Sequence, residues 1–251
     1  MPNRSIITVD LFKVDPAHLP DLNSRLTSLW AHYPIDLVVG TSSLTDPIER
    51  SRGFQSILLR RHETLDECRA FEEKDSYQDI IRTGLQDHLR FTIETDLNVV
   101  PSTSTEIEMS DLLIHVVLFK FKPDHTAKIS QFQTEIQNLS HLSCVTSERL
   151  VCQGPVRVPV PPSSAPTASA SSEPETDDAL RQGYHLCLIS HHPGLPGLAA
   201  YQSSAEHHDV TTRLMFPFKE ELTRFDFLVD PSRLSTKTMI PAAPLGERVP
   251  S

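Results

Sequence analysis

The chain has 251 residues, enough for one or two domains with a buried core. Its formal charge of −10, with no cluster of Lys or Arg, excludes a track for nucleic-acid phosphates. No apolar run reaches membrane-spanning length, and Asp10 falls too early for a secretory leader, so a soluble cytoplasmic protein is expected.

Residues 5–13, SIITVDLFK, alternate and are β-branched, which predicts a strand. Leu19, Leu22, Leu26, Leu29 and Trp30 then recur at helical spacing behind the start signal Asp15-Pro16. Strands are expected at 35–42 and 54–62, a helix broken near Asp75 over 65–89, and a strand over 91–100. This β-α-β-β-α-β order is a split βαβ unit with both helices on one antiparallel sheet. A polar connector, 101–110, follows. The order then returns: a strand at 112–122, a helix at 125–140, strands at 142–154 and 183–190, a broken helix at 195–222 and a strand at 224–230. ITVDLFKV and IHVVLFKF align without a gap, as do AFEEKDSYQDI and AYQSSAEHHDV, so the chain reads as two copies of one unit. The expected halves are 1–100 and 111–231. The Pro/Ser/Ala/Thr-rich insertion 155–182 is read as disordered rather than as a lid, and 232–251 as a mobile tail.

The strand at 112–122 is apolar on both faces. His115, Val117, Phe119 and Phe121 share one, and Ile114, Val116 and Leu118 the other. Helices can cover only one of them. The other needs a second sheet, which the chain carries in its first half. The fold class expected is α+β: two ferredoxin-like βαββαβ repeats packed sheet to sheet as an intrachain barrel, a closure within the chain that allows a monomer. Cys144 and Cys152, eight residues apart in one expected strand, lie beyond disulfide reach, so free and mostly buried thiols are expected.

Tyr201 and His207 hold the chemistry. Six residues apart on an unbroken helix, they would point to different sides. Ser203 and Glu206 read as a capping box that starts a new helix, and a kink there would aim both at one pocket. The bland alternative is a polar surface turn with solvated histidines. For His115 the alternative is a core histidine bonded to backbone. The pairs His191-His192 and His207-His208 diverge on strand or helix, so no metal is expected. His18, His88 and His141 read as solvated or capping residues, and the segment Lys219–Arg224 as a charged helix end.

IHVVLFKFKPD, GYHLCLIS and AYQSSAEHHD…PFKEELTRFDFLVD together resemble the stress-responsive dimeric α/β-barrel family, here as a tandem copy. That family includes the plant olivetolic acid cyclase and is related to ferredoxin-like barrel monooxygenases. The resemblance implies a first-strand pocket histidine, matched by His115, and a Tyr/His catalytic pair, matched by Tyr201 and His207. It also implies a third-strand histidine where this chain has Leu186, with His185 one residue away. In the first half Thr8, Phe71 and Tyr77 stand at the site positions, so that half is expected to keep the fold and lack the site. The implied reaction is a cofactor-free aldol closure of a polyketide-like small molecule in a dry barrel interior. His207 would be the base, Tyr201 the donor and His115 the orienter, with no metal or flavin required. A non-catalytic barrel binding an apolar ligand and a cofactor-free monooxygenase stay as alternatives.

Overall fold

The computed structural model describes residues 4–33, 37–41, 50–82, 84–96, 112–146, 149–156 and 176–229. The first half contributes β1 (Ser5–Val14), α1 (Leu19–His32), β2 (Leu37–Thr41), β3 (Ser56–His62), α2 (Leu65–Glu72), α3 (Asp75–Ile81) and β4 (Leu85–Thr95). The second half contributes β5 (Leu112–Phe121), α4 (Thr126–Gln137), β6 (Leu150–Gln153), α5 (Thr176–Arg181), β7 (Leu186–Pro193), α6 (Gly194–Ser203), α7 (Ala205–Val210) and β8 (Lys219–Leu228). Two antiparallel sheets result, in the orders β2-β3-β1-β4 and β6-β7-β5-β8. This is the α+β, doubled ferredoxin-like architecture expected from the alternating pattern.

Both faces of β5 are buried, as its sequence demands. Ile114, Val116 and Leu118 join Phe225 and Phe227 of β8 in one apolar cluster with Ile7, Val9 and Leu11 of β1. Each such side chain contributes about 1.5–3 kcal/mol when fully withdrawn from water, so this layer holds the halves together. Leu113, Val117, Phe119 and Phe121 instead pack with Phe132, Ile136, Leu198 and Leu214 beneath the helices. The sheet edges also meet. Strand β2 lies against β8, and β4 against β6. Val156 N donates to Thr92 O across the second seam at 2.9 Å. At the first seam a methyl group on Gly40 would sit 2.2 Å from Phe227 Cδ2, so glycine is what lets the strands approach.

Several boundaries differ from the sequence reading. Residues 85–89 belong to β4 and not to a helix: Gly84 at φ +61° ends the turn, and Leu89 pairs with Leu11. The segment Lys219–Arg224 is also strand, because its register on β5 runs from Lys219 opposite Phe121 to Leu228 opposite Leu113. Cys144 lies outside β6, which is only Leu150–Gln153, and all four cysteines are free. Strand β7 starts three residues late and runs on through His191-His192-Pro193. Within the insertion 155–182, Thr176–Arg181 is helical. Residues 157–175, the connector 101–110 and the tail 232–251 lie outside the described residues. No helix among the described residues is long and apolar enough to cross a membrane.

Candidate functional site

The helix break that the Tyr201/His207 argument needs is present, one residue later than expected. Helix α6 ends at Ser203, and Ser204 is extended (φ −62°, ψ 145°). Ser204 is the cap of α7, its Oγ accepting from His207 N at 3.2 Å. The same hydroxyl donates to Tyr201 O at 2.9 Å, stitching the end of one helix to the start of the next. Ser203 is not the cap; its hydroxyl donates to Ala200 O. The reason is geometric: a cap oxygen reaches the amide three residues on, and here that amide is His207. The kink places the Tyr201 and His207 rings 4.7 Å apart.

Two strands bring the remaining groups. His115 on β5 lies 6.4 Å from the Tyr201 ring, centroid to centroid. His192, near the end of β7, lies 4.9 Å from Tyr201 and 6.0 Å from His115. Three imidazoles therefore surround one phenol. The site lies between sheet and helices and not between the two sheets, whose interface is filled with aliphatic and aromatic side chains. The expected barrel-interior pocket is thus corrected to a helix-covered one. The third histidine is not the displaced His185, whose Nδ1 accepts from Phe121 N. Leu186 packs in the apolar layer instead.

Hydrogen bonding assigns a state to each ring. His207 Nδ1 faces Gln202 O at 3.2 Å. A carbonyl can only accept, so Nδ1 carries the proton and Nε2 keeps its lone pair. His192 Nδ1 likewise donates to Cys144 O at 2.8 Å, leaving its Nε2 to accept from Ser190 Oγ at 2.8 Å. His115 Nδ1 meets Asp226 Oδ1 at 2.5 Å, directly across the β5–β8 ladder. Burial, then the neighbouring His115 ring, depresses both His192 and His207 to about 4, so both are neutral near neutral pH. Burial pushes the Asp226 carboxyl up, but His115 and Arg224 outweigh it and bring it to about 2. Arg224 donates through Nε to Asp226 Oδ2 at 2.7 Å, and with the Gln202 amide turned so that its oxygen faces the guanidinium, the Arg224 Nη atoms donate to that oxygen at 2.9 and 3.1 Å.

Tyr201 differs from its neighbours. It is completely buried, and its hydroxyl has no hydrogen-bond partner among the described residues. Burial, then Cys152 and Cys144, push its pKa up, so it is a phenol and never a phenolate at ordinary pH. An orphaned buried hydroxyl costs about 1–3 kcal/mol. Two cavities, of about 640 and 540 Å³, lie elsewhere: at the β4–β6 seam beside Arg4 and Gln153, and beside Tyr33, His62 and Phe71. Neither is lined by His115, Tyr201 or His207. His207, Gln202 and Arg224 are half-buried, so the cluster meets solvent on that side. No group of three metal-binding side chains is gathered among the described residues.

The first half holds a different arrangement at the same level. Thr8, at the His115 position, meets Thr92 Oγ1 at 3.1 Å and Cys68 Sγ at 3.4 Å. One step along β1, completely buried Asp10 is bound by Arg60 (2.9 Å), Arg90 (3.0 Å), Tyr77 (3.0 Å) and His88 (2.9 Å). His88 is therefore a buried partner of a carboxylate, not the solvated residue expected from sequence. Glu72 completes the cluster, at 3.0 Å from Arg60 and 2.8 Å from Arg90. The loss of the Tyr/His set was legible in Thr8, Phe71 and Tyr77; the ionic cluster that fills the space was not.

His192 and Asp226 escaped sequence reasoning. His192 lies beyond the expected end of its strand. Asp226 looked like an ordinary polar residue of an alternating strand, although its place opposite His115 followed once β8 was paired with β5.

No protein-family model matches the chain. No curated protein matches it either. Among solved structures, a Fusobacterium nucleatum protein described provisionally as a monooxygenase superposes with a TM-score of 0.55 at 10% identity, covering 92% of this chain and 94% of that one. An anthrone oxidase-like protein gives 0.55 at 10% identity, covering 90% and 91%. A dimeric α/β-barrel (Dabb) family protein from Mesorhizobium loti covers 47% of this chain and 95% of its own, at 14% identity and a TM-score of 0.32. At these identities the two full-length matches establish the fold: one chain carrying both halves of a ferredoxin-like barrel.

Proposed function

We propose that the second half is a cofactor-free proton-transfer site acting on a small carbonyl compound, of the polyketide or β-dicarbonyl kind, as a cyclase or lyase. The observation that carries this reading is the partnerless Tyr201 hydroxyl, set against the bare Nε2 of a neutral His207. A buried phenol without an acceptor is unfavourable in a core, and a bound carbonyl oxygen removes the cost. In this reading His207 Nε2 takes a proton from a carbon next to a carbonyl. The resulting carbanion attacks a second carbonyl of the same molecule, forming a carbon–carbon bond. Tyr201 donates to the oxygen that gains charge, and loss of water gives the aromatic ring. His115 orients the phenol and substrate from the sheet.

Turnover of a linear triketone to its ring-closed dihydroxybenzene tests this reading. Wild type is expected to accelerate closure over buffer, and His207→Ala to lose about 100-fold or more, the scale of one acid–base group. Identical product profiles for wild type, His207→Ala and buffer would refute it.

A second reading, a non-catalytic barrel that binds an apolar ligand, is favoured by the way the imidazoles are tied to the backbone. His192 and His207 each donate to a backbone carbonyl. The full-length neighbours also keep oxygenation in view, since abstraction of an acidic C–H proton would precede it and call on the same base.

A further inference from the structure

The geometry points to Asp226 as a positioning residue of the second-half site, holding His115 in one tautomer with its Nε2 available to the Tyr201 phenol and its ligand. The inference rests on the proton-transfer reading for its catalytic consequence, but not for its structural one.

Three observations meet here. Asp226 is completely buried and stands opposite His115 in the β5–β8 ladder, so the two side chains share the helix-facing side of the sheet. The 2.5 Å contact is to His115 Nδ1. An ionised carboxylate only accepts, so Nδ1 carries a proton and Nε2, on the other edge of the ring, has no partner among the described residues. Arg224, two residues back on the same face, anchors the other carboxylate oxygen and is itself held by Gln202 of α6. The carboxylate cannot swing away without breaking three charge-assisted contacts. The chain Gln202–Arg224–Asp226–His115 therefore links the helix that carries Tyr201 to the strand that carries His115.

The first half supplies an internal control. Thr92 occupies the ladder position of Asp226 and Thr8 that of His115. Carboxylate and imidazole are absent together there, as expected if one serves the other. Arg90 occupies the position of Arg224, yet its carboxylate partners are Asp10 and Glu72. A conserved arginine position thus serves two different carboxylate placements, and only the second backs an imidazole.

Nitrogen NMR of selectively labelled histidine tests the tautomer, and triketone turnover tests its consequence. In wild type His115 is expected as one Nδ1–H form, with the Nδ1 proton at low field. Absence of that signal overturns the proposal even if no variant folds. In Asp226→Asn a mixture of tautomers is expected, with kcat lower by about 100-fold and KM within twofold. Asp226→Glu should restore part of both. An unchanged tautomer in Asp226→Asn overturns the positioning role. A changed tautomer with unchanged kcat reduces Asp226 to a structural residue and overturns it equally. A tautomer that changes in Asp226→Asn, together with a wild type that turns over no triketone, leaves the positioning role standing and refutes the reaction.

Discussion

The two halves share a strand order but treat the space under their helices in opposite ways. In the first half that space holds Asp10, Arg60, Arg90, Glu72, His88 and Tyr77, and the central carboxylate accepts from four neighbours. In the second half it holds three imidazoles and a phenol whose hydroxyl has no partner among the described residues. The first arrangement is nearly saturated. The second retains unused donors and lone pairs. A duplicated fold can thus spend one pocket on cohesion and leave the other open to chemistry, with the difference set by a few side chains under the helices.

The comparison can be broken first on the stability side. Arg60→Met removes one partner of a buried carboxylate, and a loss of about 3–5 kcal/mol is expected from the denaturation midpoint. A loss below 1 kcal/mol would mean that the Asp10 cluster is not the brace described here.

Acid sharpens the comparison. His192 and His207 titrate in the folded protein at about 4, below their usual 6.5. The unfolded chain therefore binds protons that the folded one does not across that window. Stability should fall as pH drops from about 6.5 towards 4 on account of the second half. Both halves contribute in a lower range: Asp226 sits at about 2, and in the first half the arginines and His88 overcome the desolvation of Asp10 and hold its carboxyl well below the usual value. This stabilisation is present above the unfolded carboxylate range and is lost as pH falls through the folded pKa. Replacing His192 and His207 together by Gln should flatten the curve between 6.5 and 4 and leave the lower limb in place. Thermal melts across pH would show it.

Ser204→Ala is the gentler test. It removes the cap of α7, at about 1 kcal/mol, and frees the joint that holds Tyr201 beside His207. Turnover should fall by more than the small change in melting temperature would suggest.

Much of this fold could be read from β5 alone. An LLIHVVLFKF strand with two apolar faces requires a sheet on one side and helices on the other, and the observed core follows that division. The Tyr201/His207 pairing was legible too, because a serine cluster between them made a helix break physically reasonable. What escaped was long-range. Whether Lys219–Arg224 continues a helix or starts a strand depends on hydrogen bonding to β5, which local composition does not report. Asp226 lay inside the strand expected over 224–230, yet its meaning comes from a residue 111 positions away. His88 was misread for the same reason: its partner Asp10 lies 78 positions away. Residue types told which chemistry was possible; cross-strand register decided which groups meet.

The most direct measurement is a paired substitution, Tyr201→Phe against Tyr77→Phe, each followed by melting temperature and by triketone turnover. Tyr77 donates to Asp10 and accepts from Arg90, so its loss should destabilise by about 1–3 kcal/mol without changing the rate per folded molecule. Tyr201→Phe removes an unpaired hydroxyl, so it should melt no lower than wild type and lose turnover. A Tyr201→Phe protein that melts as low as Tyr77→Phe and keeps its rate would contradict the account, since the phenol would then be one more brace in the core.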